Sequence, residues 1–351
     1  MKIAIVNNCV PFIYGGAEFL CDDLYKNLKS RGFEVDHYKL PFMWHPHNNV
    51  TNHILSAKLF NIGDQYDRVI ATKFPAHYIK HDNKVLWLFH QFRQAYDLYG
   101  TEYSDLQQSK EGKYLKEVVT NADNQYLPEA KKIFSISPIV QKRLKEFNNI
   151  DSEVLFTAAS DSEKFFFKEY GDFIFYPSRI SRSKRQLLAV EAMRYTKSNV
   201  KLVLAGKGDS IEDEIELVNL IEQYDLTSKV TYMRGFISEE KKIELFAECL
   251  GGVYLPYMED SYGFPTLEAY YSKKPVITVT DAGGTDVIVH QNISGLVTAP
   301  NAKQLAHAMD TLYNNRETAR KLGHGGFDVI NKLGIYWDNI VNKLTADYSS
   351  S

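Results

Sequence analysis

Short apolar, β-branched runs recur along this chain between longer amphipathic or polar segments, and the series starts twice. In the first half the runs fall at residues 2–6, 34–40, 67–71, 84–89, 132–136 and 153–156. A segment from about Ala17 to Arg31 sets Phe19, Leu20, Leu24 and Leu28 on one helical face. The second half repeats the rhythm, with strand-like runs at 173–176, 201–205, 229–233, 252–255, 275–279 and 295–297. Helical patterns fill the gaps at 185–195, 212–224, 239–247, 266–272 and 302–314. Strands that are apolar on both faces and joined by helix-length connections predict an α/β fold with doubly wound parallel sheets, covered by helices on both sides. Two such series in 351 residues predict two Rossmann-like domains, each with its own core. We expect them at 1–165 and 166–335, with the charged, aromatic stretch 160–172 as linker and 336–351 as a C-terminal segment, helical over 337–348.

A formal net charge of −3, with 24% charged and 44% hydrophobic residues, describes a soluble globular chain and gives no nucleic-acid footprint. Cys9, Cys21 and Cys249 are odd in number and lack CxxC spacing, which gives no basis for a disulfide framework or a cysteine zinc site and fits a reducing cytoplasm. The apolar run after Met1 is too short for a signal peptide, and no stretch approaches the ~18 apolar residues of a membrane span. The aromatic content of 13% suits sugar-stacking surfaces and thick cores equally.

Chemistry concentrates at Asp260-Ser261-Tyr262-Gly263-Phe264-Pro265-Thr266-Leu267-Glu268. Two carboxylates straddle a glycine turn between an apolar strand and a helix. Pro265 suits the first helical turn, where its missing N–H is harmless. Amides of residues 261–264 at a helix N-terminus, beside acidic side chains, could hold hydroxyls or phosphate oxygens. An ordinary strand–loop–helix connection with two surface acids accounts for the same residues.

Lys273-Lys274-Pro275-Val276-Ile277-Thr278-Val279 follows as another strand, then Ala282-Gly283-Gly284-Thr285-Asp286 and Asn292-Ile293-Ser294-Gly295-Leu296-Val297. Together these residues resemble the donor half of the retaining glycosyltransferases of family 4, with their E-x7-E acids, Gly-Lys-Pro-Val strand, Gly-Gly-x-x-Glu turn and Asn-Gly-x-x-Gly-Leu-Leu/Val run. The chain departs from that pattern. Asp260 stands at the first acidic position, with Glu259 next to it as the other candidate; Asp286 replaces Glu, and Ser272-Lys273 replaces the Gly before Lys-Pro.

Further stretches extend the resemblance. Arg179 and Lys184 follow the strand 173–176 and match the family's Gly-Arg-Leu-x-x-x-Lys-Gly, with Ser178 and Arg185 in place of both glycines. Cations at the carboxyl end of such a sheet suit a diphosphate. A solvated basic turn is the plain reading. Gly206-Lys207-Gly208 looks like the family's Gly-x-Gly loop, and Arg234-Gly235-Phe236 its nucleobase loop, although tight turns use glycine anyway and Phe236 could sit in the core. Gly15-Gly16-Ala17-Glu18 resembles the Gly-Gly-x-Glu loop after the first strand, and His90 ends the strand 84–89 where the family places a histidine against the donor sugar. Gln91, Arg93, Tyr96, Asp97 and Tyr99 form an acceptor-side candidate run. His45 and His47 sit in a loop with Pro46, where metal binding is possible, but two histidines without a nearby third ligand seldom make a site.

The resemblance covers nearly the whole chain. It implies a GT-B fold and sugar transfer from a nucleotide-diphosphate sugar, with retention of anomeric configuration and with no metal or other cofactor. It assigns ribose hydroxyls to Glu268, donor-sugar hydroxyls to Asp260 and its loop, diphosphate to Arg179 and Lys184, and sugar support to His90. The acceptor would be a glycan or lipid-linked sugar in bacterial surface polysaccharide assembly such as capsule, O-antigen or other lipopolysaccharide. A helix over 138–147, with Lys142, Arg143 and Lys145 beside Ile139, Val140 and Leu144, could meet the inner membrane peripherally or be solvated. A phosphorylase, a nucleotide-sugar epimerase or a non-catalytic sugar-binding protein of the same fold are the alternatives.

Overall fold

A computed structural model describes residues 1–12 and 15–348; Tyr14, which precedes the Gly15-Gly16 loop, and the last three residues of the 336–351 segment lie outside the described residues. The chain divides into two compact units, Met1–Thr157 with Tyr336–Ser351, and Ala158–Ile335.

The first unit runs β1 (Lys2–Cys9), α1 (Gly16–Ser30), β2 (Glu34–Pro41), α2 (His47–Leu59), β3 (Arg68–Ala71), β4 (Lys84–Leu88), α3 (Lys110–Tyr126), β5 (Lys132–Ser135), α4 (Pro138–Asn148) and β6 (Glu153–Val154). Its strands pair in parallel in the order β2-β1-β3-β4-β5-β6. The apolar runs form the middle of the sheet: Ile3, Ala4, Ile5 and Val6 of β1 and Val85, Leu86, Trp87 and Leu88 of β4 are fully buried. Each such side chain contributes roughly 1.5–3 kcal/mol through burial.

The second unit runs β7 (Phe173–Pro177), α5 (Gln186–Met193), β8 (Lys201–Gly206), α6 (Ile211–Gln223), β9 (Val230–Arg234), α7 (Glu239–Glu248), β10 (Gly251–Val253), α8 (Phe264–Tyr271), β11 (Val276–Val279), β12 (Gly295–Thr298), α9 (Ala302–Asn314) and α10 (Arg316–Leu333). Its parallel sheet has the order β12-β11-β10-β7-β8-β9. The core joins Ile174, Tyr176, Leu202 and Leu204 of the sheet to Ala189, Met193, Leu217, Leu305 and Met309 of the helices.

The chain then returns to the first unit as α11 (Trp337–Thr345). Arg68, fully buried at the start of β3, donates from Nη1 to the carbonyls of Leu344 and Ala346 at 2.9 and 2.7 Å. Trp337 meets Trp87 edge-on, with ring centroids 6.4 Å apart. Three helices, α2, α3 and α10, join those expected from the sequence pattern. Among the described residues no helix is long and apolar enough to cross a membrane.

Candidate functional site

In the second sheet β7 and β10 are neighbours, and the strand order runs away from them in opposite directions. Loops leaving their carboxyl ends therefore diverge, which opens a crevice of the kind where doubly wound sheets bind ligands. The β7 loop carries Arg179 and Lys184, and the β10 loop carries Tyr254, Glu259 and Asp260. Lys184 joins the two: its ammonium donates to the Tyr254 hydroxyl at 2.8 Å and to the Glu259 carboxylate. Burial works against that charge, but Glu259 and Tyr254 outweigh it and hold the Lys184 pKa well above its ordinary value. Arg185, where the family has glycine, adopts a left-handed φ of 57°. Its guanidinium compensates by binding the Leu255 carbonyl at 2.7 Å and Asp281 at 2.8 and 2.9 Å, a second tie between the same loops.

The β8 loop is zipped onto the β7 loop, with Ile180 N–H donating to Lys207 O at 2.9 Å and Asp209 N–H to Ile180 O at 3.0 Å. Arg179 is 45% exposed and pairs with Asp209 at 2.5 Å. Gly208 N–H donates to Glu214 Oε1 at 2.7 Å, and Arg234 reaches the other oxygen of the same carboxylate. Those contacts hold the Glu214 pKa below the usual range, the Gly208 amide contributing most. Gly235 N–H donates to Gly206 O at 3.1 Å, and Phe236 stands out from the surface at 74% exposure.

Asp260 is buried at the head of the acidic loop. Gly263 caps α8 with φ 73°, and a Cβ there would lie 2.3 Å from the Tyr254 ring, so turn and packing both demand glycine. Ser261 and Phe264 are half-buried, Tyr262 is fully buried, and Thr266 donates its hydroxyl to Tyr262 O at 2.6 Å, which commits that side chain to the helix entry. Glu268, one turn further, is buried against Lys242 of α7, with Nζ and Oε1 2.7 Å apart. Burial raises the Glu268 pKa despite Lys242, while Lys242 is held above its ordinary value by Glu268 and Glu239 in spite of its own burial. The loop is seated on the Gly283-Gly284 turn, where Glu259 N–H donates to Ala282 O at 3.0 Å and Gly284 N–H to Glu259 O at 2.8 Å.

The first sheet has its own divergence between β1 and β3. Gly15 caps α1, and its N–H donates to Glu18 Oε2 at 3.0 Å; Gly16 is the first helical residue. Lys73, just after β3, donates to Glu18 Oε1 at 2.6 Å, and both residues are buried. His90, half-buried past the end of β4, places Nδ1 2.8 Å from the Gln91 carbonyl. A carbonyl only accepts, so Nδ1 carries a proton.

Residues 158–328 match the family model of glycosyl transferases group 1. The match takes in nearly the whole of the second unit. It is 30% identical over 162 residues to alpha-1,3/1,6-mannosyltransferase ALG2 of Homo sapiens, covering 42% of this chain and 38% of that protein. It is 31% identical over 129 residues to O-antigen chain mannosyltransferase C of Escherichia coli, covering 36% and 33%. The matches thus span less than half the length of these curated relatives. Sucrose-phosphate synthase from Thermosynechococcus elongatus shares the fold with a TM-score of 0.78, 18% identity and coverage of 98% of this chain and 97% of that chain. The architecture of the chain, two six-stranded parallel α/β sheets, is GT-B.

Within the second unit the family residues converge: Arg179, Lys184, Glu259, Asp260 and Gly263 border one crevice, while Glu268 lies on the helix behind it. Four partners escaped sequence reasoning: Tyr254, Asp209, Glu214 and Lys242 carry no motif and are recognised only by their contacts with predicted residues. Lys73 escaped it as well, though the position immediately after an apolar strand was a usable signal. Two expectations need correction. Of the 91–99 run, Tyr96 is buried against Asp123 at 2.6 Å and Asp97 is clamped by Arg93 and Arg143 at 2.7 and 3.1 Å, so much of it braces the unit. In α4, Val140 and Leu144 turn into the core and Arg143 is buried, so of the residues read from the sequence Lys142, Lys145 and half-buried Ile139 reach the surface, with Phe147 beside them.

Proposed function

We propose that the protein is a retaining, metal-independent glycosyltransferase that takes a sugar from a nucleotide-diphosphate sugar. The carrying observation is the crevice between β7 and β10, where Lys184 and Arg179 sit beside the acidic loop ending in Gly263. Two fixed cations neutralise the charge that grows on the departing diphosphate, the task a metal performs elsewhere. Their partners Glu259 and Asp209 keep them extended and yield to phosphate oxygens when donor binds. Glu268 receives the ribose hydroxyls, Asp260 the donor-sugar hydroxyls, and His90 supports the sugar. The bond from the anomeric carbon to the diphosphate oxygen breaks, the acceptor oxygen bonds to that carbon on the same face, and the acceptor proton passes to the leaving phosphate oxygen.

The acceptor is a glycan or a lipid-linked sugar, and the setting is bacterial surface polysaccharide assembly, a reading that the O-antigen mannosyltransferase relative supports. A panel of UDP-, GDP- and ADP-sugars scored by thermal shift names the donor, and NMR of the product then reads its anomeric configuration. Inverted product, or stabilisation by no nucleotide sugar, would overturn the proposal.

A further inference from the structure

His45 and His47 stand on either side of Pro46, where the chain leaves β2 and enters α2, and the fold brings Asp105 to them from sixty residues away in sequence. Asp105 precedes the 3-10 turn Leu106–Gln108, whose Leu106 is fully buried beneath it. The side chains converge. His45 Nε2 lies 3.4 Å from Asp105 Oδ2, His47 Nε2 lies 3.3 Å from Asp105 Oδ1, and one donor atom from each residue falls within 4.8 Å of the others. The imidazoles lie nearly parallel, with ring centroids 5.3 Å apart.

Two features point beyond a surface ion pair. His47 Nε2 and Asp105 Oδ1 are shielded from solvent, yet neither has a hydrogen-bond partner, a costly arrangement for adjacent polar atoms. Their separation also has a meaning of its own. Nitrogen and oxygen ligands at about 2.0–2.1 Å from a tetrahedral zinc ion lie roughly 3.3–3.4 Å from each other, whichever pair is chosen. Each imidazole nitrogen stands at that distance from one of the two Asp105 oxygens, so a small turn of the carboxylate suffices to share a single oxygen between them. His45 is 55% exposed, which leaves solvent access for a water as fourth ligand.

We infer that His45, His47 and Asp105 form a site for one divalent transition-metal ion of the zinc class. Two imidazoles and one carboxylate select such an ion over magnesium or calcium, which prefer all-oxygen shells. The ion staples the loop ahead of α2 to the turn that leads into α3. Its role is to fix these segments of the first unit, apart from the donor phosphates, which the proposed function gives to Arg179 and Lys184.

The test uses the full chain, stripped of metal and titrated calorimetrically with Zn2+, with Mg2+ as control and Co2+ for its visible absorption. We expect one Zn2+ per chain, a melting temperature that rises with zinc, and no heat from Mg2+. His45→Gln, His47→Gln and Asp105→Asn should each weaken zinc binding by more than about tenfold. His45→Gln guards against misfolding as an explanation, because its exposed side chain leaves the metal-free melting temperature unchanged. Absence of binding, equal binding of Mg2+, or zinc affinity unaltered in His45→Gln and Asp105→Asn would overturn the assignment.

Discussion

Lys184 donates to Tyr254 at 2.8 Å and also grips Glu259, so a single ammonium spans the crevice between the β7 and β10 loops. On the proposed function, a cation in that position meets the diphosphate rather than the base or the ribose. Replacing Lys184 or Arg179 by Ala should therefore weaken UDP or GDP binding by roughly ten- to a hundredfold while leaving nucleoside affinity nearly unchanged, the loss of a charge-assisted contact worth about 1.5–3 kcal/mol. Calorimetry on diphosphates and nucleosides checks it; equal losses for both would remove these residues from the phosphate site.

The two carboxylates of the acidic loop should separate by assay. Glu259→Gln releases Lys184 from its partner and should retain or strengthen diphosphate binding. Asp260→Asn should spare nucleotide binding and lower turnover, because contacts made as the glycosidic bond stretches appear in the rate. A turnover loss confined to Glu259→Gln would transfer the sugar-holding role to Glu259.

Buried Glu268 pairs with half-buried Lys242, which predicts a particular pattern in a double-mutant cycle. Glu268→Gln should weaken nucleotide binding and also destabilise the fold, since Lys242 is left charged without its closest partner. Adding Lys242→Met should restore much of the melting temperature without restoring the affinity. Recovery of both would mean that Glu268 acts only through packing.

Turnover should survive exhaustive chelation, measured well below the melting temperature of the metal-free protein so that any loss of stability is kept apart from chemistry. Loss of activity in EDTA that magnesium or manganese restores would place a metal on the donor phosphates.

Lys84 is fully buried, donates to the carbonyls of His77 and Tyr126 at 3.2 and 3.3 Å, and is pushed down to about 8, chiefly by desolvation. Below pH 8 the folded protein carries this buried charge at a cost. Between about pH 8 and the ordinary lysine value of about 10.4 the unfolded chain holds the extra proton, so this group makes stability rise with pH. Relative to Lys84→Met, the wild type should gain up to about 1.4 kcal/mol per pH unit across that window. Denaturant melts of both proteins at several pH values check it, and a flat difference would show that Lys84 stays protonated.

Inner strands such as β1, β4, β7 and β11 were legible because burial on both faces leaves an apolar run that no solvent-facing segment imitates. Of the helices, α10 was hidden by its own packing: Gly326 sits where a Cβ would lie 2.2 Å from the Tyr270 ring, and a helix that needs glycine for close approach looks like a turn in sequence. α2, with its Asn, Thr and His residues, has little amphipathic contrast to read. At the site, acids and cations set by local spacing were found, whereas Lys242 and Asp209 were not, because their meaning lies in contacts across different elements. The approach of Asp105 to His45 and His47 was invisible for the same reason, the residues being distant in sequence.

Arg68 is completed by the carbonyls of Leu344 and Ala346, which are translated only after the whole second unit. During synthesis the first sheet emerges with this guanidinium lacking its eventual acceptors, and stays so while the whole of Ala158–Ile335 is translated. The second unit, continuous in sequence, can close as soon as it is made; the first must wait. A chain truncated before Trp337 should therefore leave a natively folded second unit attached to an incompletely folded first one, a fault that proteases would detect near β3.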